Sequence, residues 1–262
     1  MWEYANVSVK GTSHEATGIP CQDSNDCLNI ENDICQTFIA VVSDGAGSAT
    51  KAEFGSKFIC EKFITDIKKG LENKLSVKDF THDFFRNWIA NFRQELQIQA
   101  ETEGLQLRNF ACTFLGAIIG ETSACFVQIG DGAIVMKGEE GGYNFIFLPQ
   151  QGQFVNQTFF VTHEKAIDHL EFDYLDKTVN EIALFSDGIQ NLVLDFQTLA
   201  VNEDFFSDWF QWLREIQDRD KANQLLNAYL NSSKINERTD DDKTLILAVR
   251  KSLPNRVLHL IE

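Results

Sequence analysis

Three aspartate–glycine pairs and one run of three aspartates are the residues of this sequence whose types and spacing could do chemistry. Asp44-Gly45 follows the apolar run VVS, Asp131-Gly132 follows FVQIG, and Asp187-Gly188 follows ALFS. The triple aspartate at 240–242 directly precedes the apolar run KTLILAV. Carboxylates gathered at the ends of apolar strands can share a hard divalent cation without burying an uncompensated charge. The pattern therefore favours a metal site with oxygen ligands.

An Asp-Gly pair has a second interpretation, because this dipeptide also supplies the positive φ angles of a tight hairpin turn. At 131–132 strand patterns flank the pair on both sides, so a plain hairpin and a metal role both stay open. Helix-like or irregular sequence follows Asp44 and Asp187, which favours a functional role there. The run at 240–242 could be a solvated charge cluster, although its position beside an apolar strand favours a site.

The elements that must position these acids are predicted from the hydrophobic pattern. Val7 and Val9 alternate with polar residues in an opening strand, and 37–43 is a short apolar run typical of a buried strand. Apolar residues at helical spacing predict two helices, at about 48–69 and 76–103. Further strands are predicted near 110–119, 122–129, 133–137, 143–147, 181–186 and 243–250, and further helices near 203–217 and 221–231.

Runs of strands and paired helices, without strict alternation, predict an α+β fold with antiparallel sheets. The less regular region at about 149–180 could cover a site as a flap. The length of 262 residues suits one large sheet-containing domain, and 22 Phe against 3 Pro argues against linkers. We therefore expect a single domain over 1–262, present as a monomer.

Charge and cysteine usage limit the partners and the compartment. The formal charge of −16, from 39 acidic and 23 basic residues, opposes the phosphate-backbone contacts of nucleic-acid binding. Six Cys without C-x-x-C spacing predict a reduced, cytoplasmic protein. The sequence has neither a signal segment nor an apolar stretch of about 18 residues, so we expect no contact with a membrane. Cys21 could be a thiolate nucleophile, but the acids beside it would raise its pKa, so we interpret it as a packing residue.

Six segments, in this order along the chain, resemble the type 2C metal-dependent protein phosphatase family, as a bacterial-like variant with DGAG in the second motif. They are GTSHEATGIPCQDS (11–24), VVSDGAG (41–47), CTFLGAII (112–119), QIGDGA (128–133), LFSDGI (184–189) and DDKTLILAV (241–249). The resemblance implies two antiparallel β-sheets in a central sandwich flanked by helix pairs. It also implies two Mn²⁺ or Mg²⁺ ions at one end, with a third ion as an open point.

The resemblance also implies roles for individual residues. Asp44 is expected to bridge both metals, the Gly45 carbonyl to be a ligand, and Asp131 to help bind a third, weaker ion. Asp241 matches the final ligand, with Asp240 or Asp242 as the alternatives in register. The complete expected metal set is Asp23, Asp44, Gly45, Asp131, Asp187 and Asp241. Thr113 matches a threonine of the family, for which a structural hydrogen bond and a catalytic role both stay open.

Three departures concern substrate binding and proton transfer. Ala46 stands where the family commonly has His, Gln22 stands beside the first-motif aspartate, and the first motif lacks the usual Arg. His14 is the nearest candidate for phosphate contact or proton donation, with a structural role as the alternative. We therefore count His14, Asp23, Asp44, Asp187 and Asp241 as the candidate catalytic residues.

The implied reaction is attack of a metal-bridging water on the phosphorus of phosphoserine or phosphothreonine in a protein, without a covalent intermediate. Oxygen ligands favour manganese or magnesium over zinc or copper. The expected partners are a phosphoprotein substrate and a cognate Ser/Thr kinase. The alternatives are a pseudophosphatase that binds phosphoproteins or regulates a kinase, and a hydrolase of small phosphate esters. The retained set of mutually repelling aspartates argues against an abandoned site.

Overall fold

The computed structural model describes residues 1–31, 36–138, 141–150, 158–195, 198, 200–216 and 218–251. Within these residues the strands form two five-stranded antiparallel sheets and one short hairpin. The first sheet has the order β1 (Trp2–Val9), β12 (Lys243–Arg250), β9 (Glu181–Phe185), β6 (Ala133–Lys137) and β7 (Tyr143–Phe145). The second has the order β2 (Ser24–Glu31), β3 (Gln36–Ser43), β4 (Phe114–Ile119), β5 (Ala124–Ile129) and β8 (Glu171–Leu175). The hairpin joins β10 (Leu194–Asp195) to β11 (Ala200–Val201).

Two pairs of longer helices cover the outer faces of the sheets. The second sheet packs against α2 (Ala52–Glu72) and α3 (His82–Thr102), and the first packs against α5 (Glu203–Glu215) and α6 (Arg219–Leu230). Short helices are α1 (Thr12–Thr17), α4 (Gln190–Val193) and α7 (Ser233–Asn236). Turns of 3₁₀ helix lie at Val77–Asp79, Leu107–Phe110, Ala166–His169 and Asp187–Ile189. None of the helices in the described ranges is long and apolar enough to cross a bilayer.

The strands alternate between two apolar layers. In β3, Ile39 and Val41 pack with the helices, whereas Phe38 and Val42 pack with the opposite sheet. Because both faces are covered, such a strand has a nearly continuous apolar sequence. The resulting four layers, helix, sheet, sheet and helix, confirm the predicted sandwich.

Three predicted elements begin later than expected. The helix predicted from 76 begins at His82, after the 3₁₀ turn at Val77–Asp79. The helix predicted from 48 begins at Ala52, because the Lys51 N–H donates to the Asn109 carbonyl at 2.8 Å in the preceding turn. The strand predicted from 110 begins at Phe114, after a 3₁₀ turn that ends at Phe110. The turns at the start of α2 and β4 lie at the edge of the sandwich where the predicted acids stand.

Glu181 joins the first sheet to α5 at the opposite edge. Its carboxylate is 2% exposed and accepts hydrogen bonds from Tyr143 Oη at 2.5 Å, from Lys137 Nζ at 3.3 Å and from Arg214 Nη2. Burial by itself would raise the pKa of Glu181, but the Tyr143 and Arg214 hydrogen bonds and the two cations outweigh it, so its pKa lies below the usual value. The ionised form therefore stabilises the fold.

We expect Glu181→Gln to lower the free energy of unfolding by about 1–2 kcal/mol at neutral pH, because the two cations are half-exposed and recover part of their hydration. A carboxylate with a depressed pKa stabilises above its unfolded pKa, and this contribution is lost as pH falls through its folded pKa. The difference between wild type and variant should therefore disappear in acid. Urea unfolding over a pH series measures it, with the exposed Glu215→Gln as the control. A difference that is unchanged in acid would contradict the role of the charge.

Candidate active site

The strand register brings the predicted acids to one edge of the sandwich. Antiparallel pairing aligns the start of β2 with the end of β3, so Asp23 and Asp44 lie at the same edge. The same relation between β12 and β9 brings Asp241 beside Asp187. Asp131 follows β5, whose end is aligned with the start of β4. Five carboxylates from distant parts of the sequence therefore converge.

A pocket of about 150 Å³ opens at this edge. Of the predicted site residues, Asp23 is the one that does not line it, since this side chain lies beneath the floor and is 6% exposed. Thr158 and Phe160 line the pocket without having been assigned to the site from the sequence, and Asp242, an alternative in register to Asp241, lines it as well. The predicted residues that line it are His14, Asp44, Gly45, Asp131, Asp187 and Asp241.

Asp44 is held by a two-way backbone clamp. Its N–H donates to Thr113 Oγ1 at 2.9 Å, and the Thr113 N–H donates to the Asp44 carbonyl at 2.8 Å. Thr113 therefore has a structural hydrogen bond, one of the two roles left open by the sequence. At the next residue, a Cβ on Gly45 would lie 2.6 Å from the Gln22 carbonyl oxygen and 2.8 Å from that of Ala52. Only glycine fits this position without moving the backbone.

Asp23 lies in the layer beneath the pocket. Ser186 Oγ and Thr244 Oγ1 each donate to its Oδ2 at 2.7 Å, whereas its Oδ1 is buried without a hydrogen-bond partner. Burial, together with the nearby Asp242 and Asp187, raises the pKa of Asp23 to about 7 despite the two hydroxyl bonds. The side chain is thus held from the strand side, and one oxygen is left without a partner.

Burial and mutual repulsion raise the pKa values of the pocket acids. The pKa of Asp44 lies well above its usual value because of burial and the charges of Asp23 and Asp187. Burial and the charges of Asp131 and Asp241 raise the pKa of Asp187 to about 6. Asp44 and Asp187 lie close enough for each to shift the pKa of the other. These acids need a proton or a cation between them.

Asp242 ties the first motif to the last strand. Its Oδ1 accepts from the Gly11 N–H at 2.6 Å, and its Oδ2 accepts from the Gln22 N–H at 2.5 Å and lies 3.0 Å from His14 Nδ1. The carboxylate is 3% exposed. Nothing in the acidic triplet of the sequence distinguished Asp242 from its neighbours. Asp242 lies two residues before Thr244, whose hydroxyl donates to Asp23.

The segment that contains Thr158 and Phe160 contributes to the wall of the pocket. Thr158 Oγ1 donates to Asp131 Oδ2, and the Gln190 side-chain amide donates to the Asp131 carbonyl. Thr158 and Phe160 belong to the predicted flap at 149–180, of which 151–157 lies outside the described residues. The flap as a moving cover stays a prediction.

The donor chemistry of the pocket fits a hard divalent cation. Its carboxylates, carbonyls and hydroxyls present oxygen, and three buried oxygens lack a partner: Gln22 Oε1, Asp23 Oδ1 and Asp187 Oδ1. Among the residues that the structure describes, no three His, Cys, Asp or Glu side chains are already gathered tightly enough to hold a metal ion. To hold an ion there, these side chains would have to approach one another.

Comparison with known proteins identifies the fold family. Residues 10–231 match the family model described as protein phosphatase 2C. The chain belongs to the protein phosphatase 2C family. It is 33% identical over 255 residues to serine/threonine-protein phosphatase 3 of Escherichia coli (strain K12), a match that covers 95% of this chain and 98% of that protein.

Solved structures of bacterial phosphatases share the fold of this protein phosphatase 2C chain. A bacterial serine phosphatase superposes with a TM-score of 0.63 at 15% identity, covering 97% of this chain and 100% of the other. The serine/threonine phosphatase Stp1 of Staphylococcus aureus gives 0.62 at 17% identity, covering 96% of each chain. The recognised family and the predicted sandwich are thus confirmed.

The remaining candidate nucleophile does not fit the chemistry of this protein phosphatase 2C site. Burial, followed by the charges of Asp23 and Asp242, raises the pKa of the Cys21 thiol far above its ordinary value. A thiolate would therefore be scarce at neutral pH, and Cys21 does not line the pocket. This supports its interpretation as a packing residue.

Proposed function

We propose that this protein removes phosphate from phosphoserine or phosphothreonine in other proteins, with two Mn²⁺ or Mg²⁺ ions held at the acid-rich edge. The observation that carries the proposal is the pocket itself, in which five aspartates from four strand ends share a small volume, with no Lys or Arg among its described lining. Such a site binds cations first and a phosphate through them.

The proposed ligands follow from the positions of the oxygens. Asp44 and the Gly45 carbonyl, together with Asp187 and Asp241, line the pocket and would hold the two ions. Asp23 would support them from beneath through its unpartnered Oδ1, and Asp131 would contribute to a third, weaker site. When bound, the ions would ionise the attacking water and neutralise the phosphoryl oxygens.

His14 is proposed to contact the phosphate or the leaving group. Its Nδ1 lies 3.0 Å from buried Asp242 Oδ2, while the ring, 14% exposed, lines the pocket. The ring edge that carries Nε2 is therefore the one available to substrate. The methyl side chain of Ala46 cannot donate a proton, so the chain lacks a side-chain acid at the position where the family commonly has His.

The substrate phosphoprotein would be the product of a Ser/Thr kinase, which is proposed as the functional counterpart of this chain. We also propose a cytoplasmic monomer in which residues 1–262 form one catalytic domain. A pseudophosphatase is less favoured, because the complete set of repelling acids persists and each acid has a raised pKa or an unpartnered oxygen that a cation would relieve.

The test is metal-dependent turnover. We expect the purified protein to hydrolyse an aryl phosphate and a phosphothreonine peptide with added Mn²⁺, and we expect chelation to abolish both activities. Mn²⁺ should also raise the melting temperature, since it binds the folded site and offsets carboxylate repulsion. Equal rates with and without the ion would reject the proposal. Ion-dependent stabilisation without any turnover would instead favour the pseudophosphatase.

A further inference from the structure

A second cavity, of about 400 Å³, adjoins the catalytic pocket. The two share Ala46 and Phe160 as common wall residues, so a ligand in one lies next to a ligand in the other. The catalytic pocket is lined by carboxylates, whereas the described lining of the second cavity includes none. The carboxylate lining therefore ends at the shared wall.

Thr162 lines this second cavity and carries a buried polar atom without a partner. The side chain is 7% exposed, and its Oγ1 makes no hydrogen bond among the described residues. A buried hydroxyl without a partner costs free energy unless a ligand or a water satisfies it. The backbone beside it is held in place, because Arg93 Nη1 donates to the Val161 carbonyl at 2.5 Å.

Arg108 provides an exposed cation in the same cavity. Within the described ranges its guanidinium has no ion pair, although the chain has 39 acidic residues against 23 basic ones. An unpaired guanidinium at the edge of a substrate pocket is available to a ligand.

The other polar groups of this cavity can also donate hydrogen bonds. Ser48 contributes a hydroxyl. His163 lies against Phe160, and the Phe160 N–H donates to His163 Nδ1 at 3.4 Å. Burial, followed by the charges of His169 and Arg93, lowers the pKa of His163, so its imidazole is neutral at neutral pH. With Nδ1 as the acceptor, Nε2 carries the remaining hydrogen. The cavity thus offers a guanidinium, two hydroxyls and an imidazole N–H.

We propose that this cavity is a subsite for an anionic side chain that flanks the phosphorylated residue of the substrate. The group recognised is a carboxylate or a second phosphate, whose oxygens accept from Arg108, Thr162 and Ser48. The inference rests on the proposed function, since the flanking group is defined by a phosphoresidue in the catalytic pocket. A chain of charge −16 would otherwise repel an acidic substrate, and this subsite would make acidic sites acceptable.

The experiment compares phosphothreonine peptides that differ at one flanking position. With Mn²⁺, a peptide with Glu beside the phosphoresidue, on whichever side is preferred, should have a kcat/KM about fivefold above that of the Gln peptide, the size of an exposed ion pair. Arg108→Gln should remove most of this preference. Thr162→Val should lower kcat/KM for the Glu peptide while leaving the fold intact, because it replaces an unsatisfied hydroxyl by a methyl group.

Controls separate the subsite from the chemistry. Arg86→Gln makes the same charge change at an exposed position of α3 and should keep the preference. An aryl phosphate is too small to fill both cavities, so its hydrolysis should be unchanged in all three variants. Phosphoserine in place of the flanking Glu distinguishes the two sources of anion, and stronger stimulation by phosphoserine would assign the subsite to a second phosphate.

A wild-type protein without preference for an anionic flank, or an Arg108→Gln variant that keeps it, would overturn the subsite. Both results leave metal-dependent hydrolysis of the aryl phosphate intact. Loss of that hydrolysis in the wild type would instead reject the proposed function, so the two failures are distinguishable.

Discussion

Asp44→Asn is expected to lower turnover by about a thousandfold, equivalent to roughly 4 kcal/mol of transition-state stabilisation. The proposed bridging carboxylate would touch both ions, and an amide lacks the charge to hold them. The same variant should keep or raise the metal-free melting temperature, because burial and the charges of Asp23 and Asp187 penalise the ionised Asp44. Its backbone clamp with Thr113 does not involve the carboxylate. A manganese titration of turnover, paired with metal-free thermal unfolding, measures both effects.

Two further Asp→Asn substitutions serve as comparisons for Asp44→Asn. Asp240→Asn changes the same charge at an exposed residue outside the pocket lining and should leave turnover near that of wild type. Asp131→Asn should act more mildly than Asp44→Asn, because its proposed ion is weaker and Asn is also compatible with the turn. If Asp44→Asn kept near-normal turnover, or destabilised the metal-free protein as a turn lesion would, the metal assignment of Asp44 would be wrong.

Gly188→Ala is expected to cost about 3 kcal/mol of stability or more, and to remove most activity. A Cβ at this position would lie 1.8 Å from the Asp242 carbonyl oxygen, which is a backbone atom and cannot swing away. Relief of the contact must separate the turn that carries Asp187 from the strand that follows Asp241. Urea unfolding and aryl phosphate hydrolysis measure the two losses.

Gly47→Ala is the comparison for this glycine. Its Cβ would meet nothing closer than Gln22 Oε1 at 4.0 Å, so its free energy of unfolding should stay close to that of wild type. Equal stabilities for the two variants would show that the turn at 187–188 and the strand can separate at little cost, contrary to the tight contact described here.

The sequence predicted the strands that are buried on both faces. β3, β9 and β12 have every residue, or all but an end residue, buried, so their sequences are continuous apolar runs. β2 and β8 were not predicted, because each pairs with one neighbour at a sheet edge and most of its residues are partly exposed. Helix α1 was also missed, since none of its six residues is buried.

The acids of the pocket could be predicted because each stands at the end of an apolar strand, where the chain must turn. The supporting contacts could not, since they join residues far apart in sequence. Asp242 reaches the Gly11 N–H over 231 positions, and Ser186 reaches Asp23 over 163. No local pattern distinguishes Asp242, which ties backbone segments together, from its neighbour Asp241. Thr158 has the same difficulty, because its contact with Asp131 arises in a region without regular periodicity.

The pairing of β1 with β12 has a consequence for synthesis. Within the described residues β1 has β12 as its one strand partner, and the hydrogen bond between Ser8 and Thr244 spans 236 positions. As the ribosome releases the chain from its N-terminus, β1 stays without that partner until residues 243–250 have been made. Closing so long a loop delays folding, because its entropy is lost before the contacts form. Asp241 arrives directly before β12, so a nascent chain completes its first sheet and its acid cluster in the same step.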